Sequence, residues 1–159
     1  MIQRIGVWER LCGDHRLVGE MICEIAENGR SRTAFRYEQE YLERSDAFAL
    51  DPVSLPLTSD SLLTERPDMF GVFEDSLPDD WGRNLLVRKH QIPRHEQNLP
   101  NLLVALGSTG LGALSFTDHA KPQLPSTDIS TLHLATLVEA AEKYERGEIR
   151  DLDISLLLS

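Results

Sequence analysis

The chain has 159 residues, with 16 Lys plus Arg against 26 Asp plus Glu and a formal net charge of −10. That length suits one domain, or one with a small appendage, and the 41% hydrophobic content is too high for a disordered chain. An isoelectric point near 4.9 argues against a direct nucleic-acid binder, which would present a basic face. Cys12 and Cys23 are too few for a disulfide framework and match no zinc spacing. No apolar run reaches the roughly 18 residues of a membrane span. The N-terminus, Met1-Ile2-Gln3-Arg4, lacks the apolar stretch of a signal peptide. A soluble, reducing, cytoplasmic setting with no membrane contact is the expectation.

The first forty residues read as strands. Ile5 to Arg10 is a short apolar run followed by turn-formers at Gly13-Asp14. From Leu17 to Ile25 the odd positions Leu17, Met21, Cys23 and Ile25 are apolar, with Gly19 the exception, while Glu20 and Glu24 fall on the even face. That period of two predicts a half-buried strand, and Asn28-Gly29 predicts a hairpin turn. Phe35 and Tyr37 share one face of the next strand, with Arg32 and Arg36 on the other. An antiparallel sheet with one wet face accounts for all three. After Tyr37 the period changes, and residues 38–45 read as one or two helical turns. Residues 46–69 carry Pro52, Pro56 and Pro67 and read as irregular, with an extended piece at Ser54-Leu55-Pro56-Leu57.

Helices follow. Phe70 to Asp75 is short and stops at Leu77-Pro78. Asp79 to about Gln91 is the next, with Asp79 and Asp80 at its positive end and Arg88, Lys89 and His90 at its negative end. Asn98 to Leu106 is a helix ending at Gly107, and Ala113 to Phe116 a strand. Residues 117–128 are polar with two prolines and read as a linker. Leu134, Leu137, Val138, Ala141 and Tyr144 then recur at helical spacing up to Gly147. The tail Ile154 to Ser159 is apolar and uncapped, an unusual end for a domain.

No strong catalytic constellation appears. His15, His90, His95, His119 and His133 are scattered, without the spacing of a helical metal site. Glu74, Asp75, Asp79 and Asp80 cluster around Leu77-Pro78, where helix capping and a charged surface explain them more simply than acid/base work or cation binding. Gly107-Ser108-Thr109-Gly110-Leu111-Gly112 could cradle a phosphate. It runs from a helix into a strand, however, and has neither phosphate-loop spacing, so a tight turn with a helix C-cap is preferred. Trp81 sits in a turn–helix junction rich in Asp and Gly. It packs under its own domain or serves as an interface anchor.

The run Phe70-Gly71-Val72-Phe73-Glu74-Asp75-Ser76-Leu77-Pro78-Asp79-Asp80-Trp81-Gly82-Arg83 resembles the signature of the N-terminal region of HipA-like serine/threonine kinases. Phe35-Arg36-Tyr37, Tyr41-Leu42, Ser54-Leu55-Pro56-Leu57 and Gly112-Ala113-Leu114-Ser115-Phe116 fall in the family's order, so the resemblance covers nearly the whole chain. Asp80 stands where the family pattern has Gly. The resemblance implies a small α+β domain over 1–116, an antiparallel sheet with packed short helices. A linker over 117–128 and a helical lead-in over 129–159 would then point towards a kinase core beyond this chain. The phosphate loop, the ATP-binding lysine and the catalytic Asp and Asn residues would lie on that core. ATP and Mg2+ are therefore expected there, and no catalytic, cofactor or metal residue is expected here.

Such kinases are toxins of toxin–antitoxin modules that phosphorylate translation components, and a DNA-binding helix-turn-helix antitoxin holds them in check. Any DNA contact would come through that partner. The resemblance thus implies a non-catalytic region that docks on and regulates a kinase core carried by the same protein or by a second chain. The partner-contacting candidates are Trp81, Asp79, Asp80, Arg83, Leu156, Leu157 and Leu158. The alternative is a free-standing small antitoxin that inhibits such a kinase in trans. A third reading, an enzyme built on the Gly107–Gly112 loop and the acidic cluster, would require ATP binding by this chain.

Overall fold

A computed structural model describes residues 1–11, 14–25, 31–64, 69–110, 112–119, 142, 143 and 146. Strands β1 (Ile2–Leu11) and β2 (Asp14–Ile25) form a long antiparallel hairpin, and β3 (Ser31–Tyr37) adds to β2. The short β4 (Leu62–Leu63) and the later β5 (Leu114–Asp118) complete a five-stranded sheet in the order β4-β3-β2-β1-β5, antiparallel throughout. Four short helices join it: α1 (Gln39–Leu42), α2 (Gly71–Glu74), α3 (Asp80–Lys89) and α4 (Leu99–Leu106). The described residues form a small α+β domain. None of these helices is long and apolar enough to cross a membrane.

β1 exceeds the apolar run Ile5–Arg10 at both ends because β2 continues beside it, Ile2, Gln3 and Arg4 pairing with Glu24, Cys23 and Ile22, and Leu11 with Asp14. β5 likewise runs two residues past the expected strand end at Phe116, since Thr117 and Asp118 pair with Gly6 and Ile5. The expected extended piece at 54–57 is a different structure. Leu55 forms an isolated bridge with Asp51, its N–H donating to the Asp51 carbonyl at 2.8 Å. The Tyr37 hydroxyl donates to the Leu55 carbonyl at 2.6 Å and accepts from the Leu50 N–H at 2.9 Å. That anchoring closes residues 51–55 into a turn and leaves Leu62–Leu63 to pair with Ala34 and Phe35. The Asn28-Gly29 turn, the linker from residue 120 and the Leu156-Leu157-Leu158 tail lie outside the described residues. Of the expected helix before Gly147, the helical hydrogen bond from the Arg146 N–H to the Glu142 carbonyl is described, at 3.1 Å.

The alternation predicted for β2 breaks at one point. Val7 pairs with Gly19 and Trp8 with Leu17, so Val18 is an extra residue in the ladder. A bulge of this kind inverts the side-chain alternation beyond it. Val18 is accordingly fully buried with Met21 and Cys23. Leu17 instead turns to the outer face, where its Cδ1 lies 3.7 Å from the Cβ position of Gly6. Gly19 interrupts the apolar series because a Cβ there would lie 2.4 Å from the Arg36 carbonyl oxygen and 2.5 Å from the Phe35 ring. Phe35 fills the space that a side chain would need.

The helices cover one face of the sheet. Ile5, Val7, Met21, Phe35 and Phe116 meet Phe70, Phe73, Leu86, Leu103 and Leu106 in a single core. The Phe73 ring lies 5.4 Å from Phe35, 5.9 Å from Phe70 and 6.2 Å from Phe116, all tilted or edge-on, the geometry aromatic rings prefer. On the outer face Glu24, Arg32 and Arg36 are exposed, as an alternating wet face requires. Glu20 is buried on that face, flanked by Arg4 at 3.5 Å and the His119 Nε2 at 3.1 Å. Glu9 is buried at the end of the core, where the Tyr41 hydroxyl (3.3 Å) and Arg16 (3.4 Å) donate to it. Neither carboxylate is left unpaired, as burial demands.

Burial pushes the Cys23 thiol up to about 11, against a weak opposing hydrogen bond from the Thr33 hydroxyl, and pushes the Tyr41 phenol up to about 12. Both stay protonated in the fold where the unfolded chain has begun to ionise. Their contribution to stability is complete below about pH 9 and is lost as pH rises towards these folded values. The thermal midpoint followed by circular dichroism should therefore be flat up to about pH 9 and fall above it. In a Cys12→Ser background, Cys23 should resist Ellman's reagent in the native protein and react fully once it is unfolded.

Candidate functional site

The segment from α2 into α3 owes its shape to a chain of local requirements. Phe73 is buried in the core, Val72 packs partly buried at the core's edge, and Asp75 is exposed. The Ser76 hydroxyl donates to the Val72 carbonyl at 2.9 Å and closes the helical turn. Leu77 is buried and Pro78 prevents the helix from continuing. Asp79 caps α3, its Oδ1 accepting from the Gly82 N–H at 2.9 Å. Gly82 is required because a Cβ there would lie 2.5 Å from the Pro78 Cβ. Arg83 folds back and donates from Nε to the Pro78 carbonyl at 2.9 Å.

Asp80 and Trp81 follow the cap as the first two residues of α3, and both are exposed. Asp80 occupies the first helical position of α3, where its charge faces the positive helix end. Among the described residues only Gln91 and Gly107 have positive φ, so position 80 has no need of the Gly found in the family pattern. Trp81 is 40% exposed.

The glycine-rich loop is held by a residue about a hundred positions earlier. Gly107, with φ of 55°, ends α4, its N–H donating to the Leu103 carbonyl at 3.0 Å. The Thr109 hydroxyl donates to the Leu106 carbonyl at 2.7 Å. Arg10 of β1 then gathers the loop's carbonyls. It donates to Ser108 at 2.5 Å, Gly110 at 2.9 Å and Gly112 at 3.0 Å. A phosphate cradle turns backbone N–H groups towards its ligand. This loop turns carbonyls towards an internal guanidinium, and it is a helix cap followed by a clasped turn.

These two segments line one groove of about 710 Å³. Val72, Leu77, Pro78 and Trp81 come from the first, and Leu106 and Leu114 from the second, with Asp75 and Asp79 as the charged groups. The structure thus brings Asp79 and Trp81 together. Asp80 and Arg83 line a neighbouring polar depression of about 530 Å³ with Asn84, Gln97 and Asn98, between α3 and α4. Leu156, Leu157 and Leu158 lie outside the described residues. Val72 and Arg10 are site components that the sequence reading passed over. Val72 looks like any apolar residue in a short helix, and Arg10 gives no local sign of partners so distant in sequence.

No group of three His, Cys, Asp or Glu side chains that could hold a metal occurs among the described residues. The acidic cluster is spread instead between a helix end, a helix cap and the groove wall. Burial, with the nearby Lys89 charge, lowers the His90 imidazole below its ordinary value, which favours its neutral form. The arrangement as a whole is suited to recognition through an apolar cleft with a projecting indole.

Residues 14–117 match the family model described as HipA N-terminal domain. That span runs from the first residue of β2 almost to the end of β5 and includes both walls of the groove. No curated protein matches the chain.

Two substitutions test how the groove is held. Arg10→Met removes three charge-assisted hydrogen bonds and should cost about 1–3 kcal/mol in denaturant unfolding, with faster amide exchange concentrated at 108–112. Gly82→Ala forces a methyl against Pro78 and should cost about 1–3 kcal/mol by the same measurement.

Proposed function

Because the chain belongs to the HipA N-terminal domain family, we propose that it is the non-catalytic N-terminal region of a HipA-type Ser/Thr kinase system, docking on and regulating a kinase core. The observation that carries this reading is the groove itself. In the Leu77–Arg83 run Asp80 and Trp81 are exposed, and Trp81 lines an apolar cleft. A half-exposed indole beside a cleft is the kind of group that dominates protein interfaces, because it supplies a large rigid apolar area at small entropic cost. The core would bind ATP and Mg2+ and carry out phosphoryl transfer, and this chain would contribute a surface. In a toxin–antitoxin module the helix-turn-helix antitoxin would be a further partner of the assembly.

Action in trans, as a separate antitoxin, would use the same surface. It is favoured by the closed core of the described residues, in which rings from α2, β3 and β5 pack on one another within this chain.

The test uses the full chain and a HipA-type kinase core prepared without its own N-terminal region. Titration calorimetry should show a one-to-one complex, and Trp81→Ala should weaken it by about tenfold or more with an unchanged circular dichroism spectrum. Absence of binding by the unaltered chain would overturn the reading. Radiolabelled autophosphorylation of the core separates the two modes. A fall on adding the chain supports inhibition in trans, and unchanged activity within a formed complex supports docking as part of the kinase.

A further inference from the structure

A second groove, of about 730 Å³, lies beside the first, and Val72 and Asp75 belong to both. Val53 and Leu63 line its far side and are 90% and 75% exposed, large apolar groups left to solvent next to the short edge strand β4. The charged side chains that line the two grooves are all acidic. Asp51 and Asp75 line the second and Asp75 and Asp79 the first, with no Lys, Arg or His among the described lining residues of either. These carboxylates differ in what they already hold. Asp51 accepts from the Val53 N–H at 3.0 Å and from the Ser54 hydroxyl, and the latter holds its carboxyl below the usual range. Asp79 is committed to capping α3. Asp75, in the wall common to both grooves, is exposed; its N–H donates to the Gly71 carbonyl at 2.8 Å, and its carboxylate makes no hydrogen bond or ion pair with the described residues.

We propose that α2 is the central ridge of a two-groove docking surface. It accepts a partner segment whose apolar side chains bracket a Lys or Arg, and that cation meets Asp75. The proposal rests on the docking reading above and specifies the chemistry of the partner. An apolar side chain on each side of the ridge covers Val53 and Leu63 in one groove and Trp81 in the other. The cation between them gains a charge-assisted hydrogen bond where the surface offers an uncommitted carboxylate. An acidic segment would meet repulsion along the whole length. A second copy of this chain is a poor fit for the same reason, since a two-fold contact through the ridge sets Asp75 against Asp75 in a chain of charge −10.

The full chain and the same kinase core test this by calorimetry at about 50 mM and about 500 mM salt, conditions that bracket strong and weak screening. The dissociation constant of the unaltered chain should rise by about fivefold or more with salt. Asp75→Lys should weaken binding by about tenfold or more, and Val53→Ser by roughly fivefold, both at exposed positions that leave the fold unchanged. Binding that ignores salt, Asp75→Lys and Val53→Ser while still falling with Trp81→Ala would overturn the two-groove surface and leave single-groove docking standing. Failure of the unaltered chain to bind would overturn both. Concentration-dependent dimerisation in sedimentation, lost with Val53→Ser, would overturn the proposal in favour of a second copy.

Discussion

Phe73 sits where three parts of the chain with no sequence proximity must agree. Its ring touches Phe35 on β3 and Phe116 on β5, strands separated in the sheet by β2 and β1. The helix that carries it has only four residues, far below the length at which a helix persists in water without support. Burial of the ring, about 1.5–3 kcal/mol in transfer terms, therefore does more than fill the core. It decides that α2 exists and which way it faces. With Phe73 turned inward, Val72 is left at the edge of the core and Asp75 in solvent, and both grooves inherit a wall from them.

A second constraint acts from the sheet. The long strand β1 carries Arg10 to the 107–112 loop, where its guanidinium collects three carbonyls. That loop needs no ligand to keep its form. The clasp sets Leu106 and Leu114 opposite the α2–α3 turn, so the groove is framed by one aromatic contact inside the core and one charged contact at its edge. The two differ in kind. The aromatic cluster gains from excluding water, whereas the Arg10 bonds persist at a half-buried site because one rigid, permanently charged group satisfies several acceptors at once.

Much of the local architecture was legible from residue order. Phe35 and Tyr37 against Arg32 and Arg36 gave the two faces of β3, and Asp79 and Asn98 marked the starts of α3 and α4, each capping through its side chain. Gly107 marked an end and adopts the positive φ that such an end requires. Alternation failed at Leu17, since a bulge is a property of two paired strands and nothing in β2 alone announces it. The extended piece expected at 54–57 failed for a related reason. The Tyr37 hydroxyl, some eighteen residues away, captures the Leu55 carbonyl and closes a turn there.

The site divides along the same line. Sequence by itself determined the family, the α+β class and the helix caps, because short motifs and side-chain periodicity record local backbone demands. Those demands are met within a few residues and so are written within a few residues. Only the tertiary structure decided that the 77–83 run and the 106–114 run line one groove, that Asp80 and Arg83 belong to a different depression, and that Val72 and Asp75 join two grooves. Each of these depends on which distant segments the core brings into contact. Burial and hydrogen bonding select such contacts over the whole fold, and the order of residues along any one segment does not encode them.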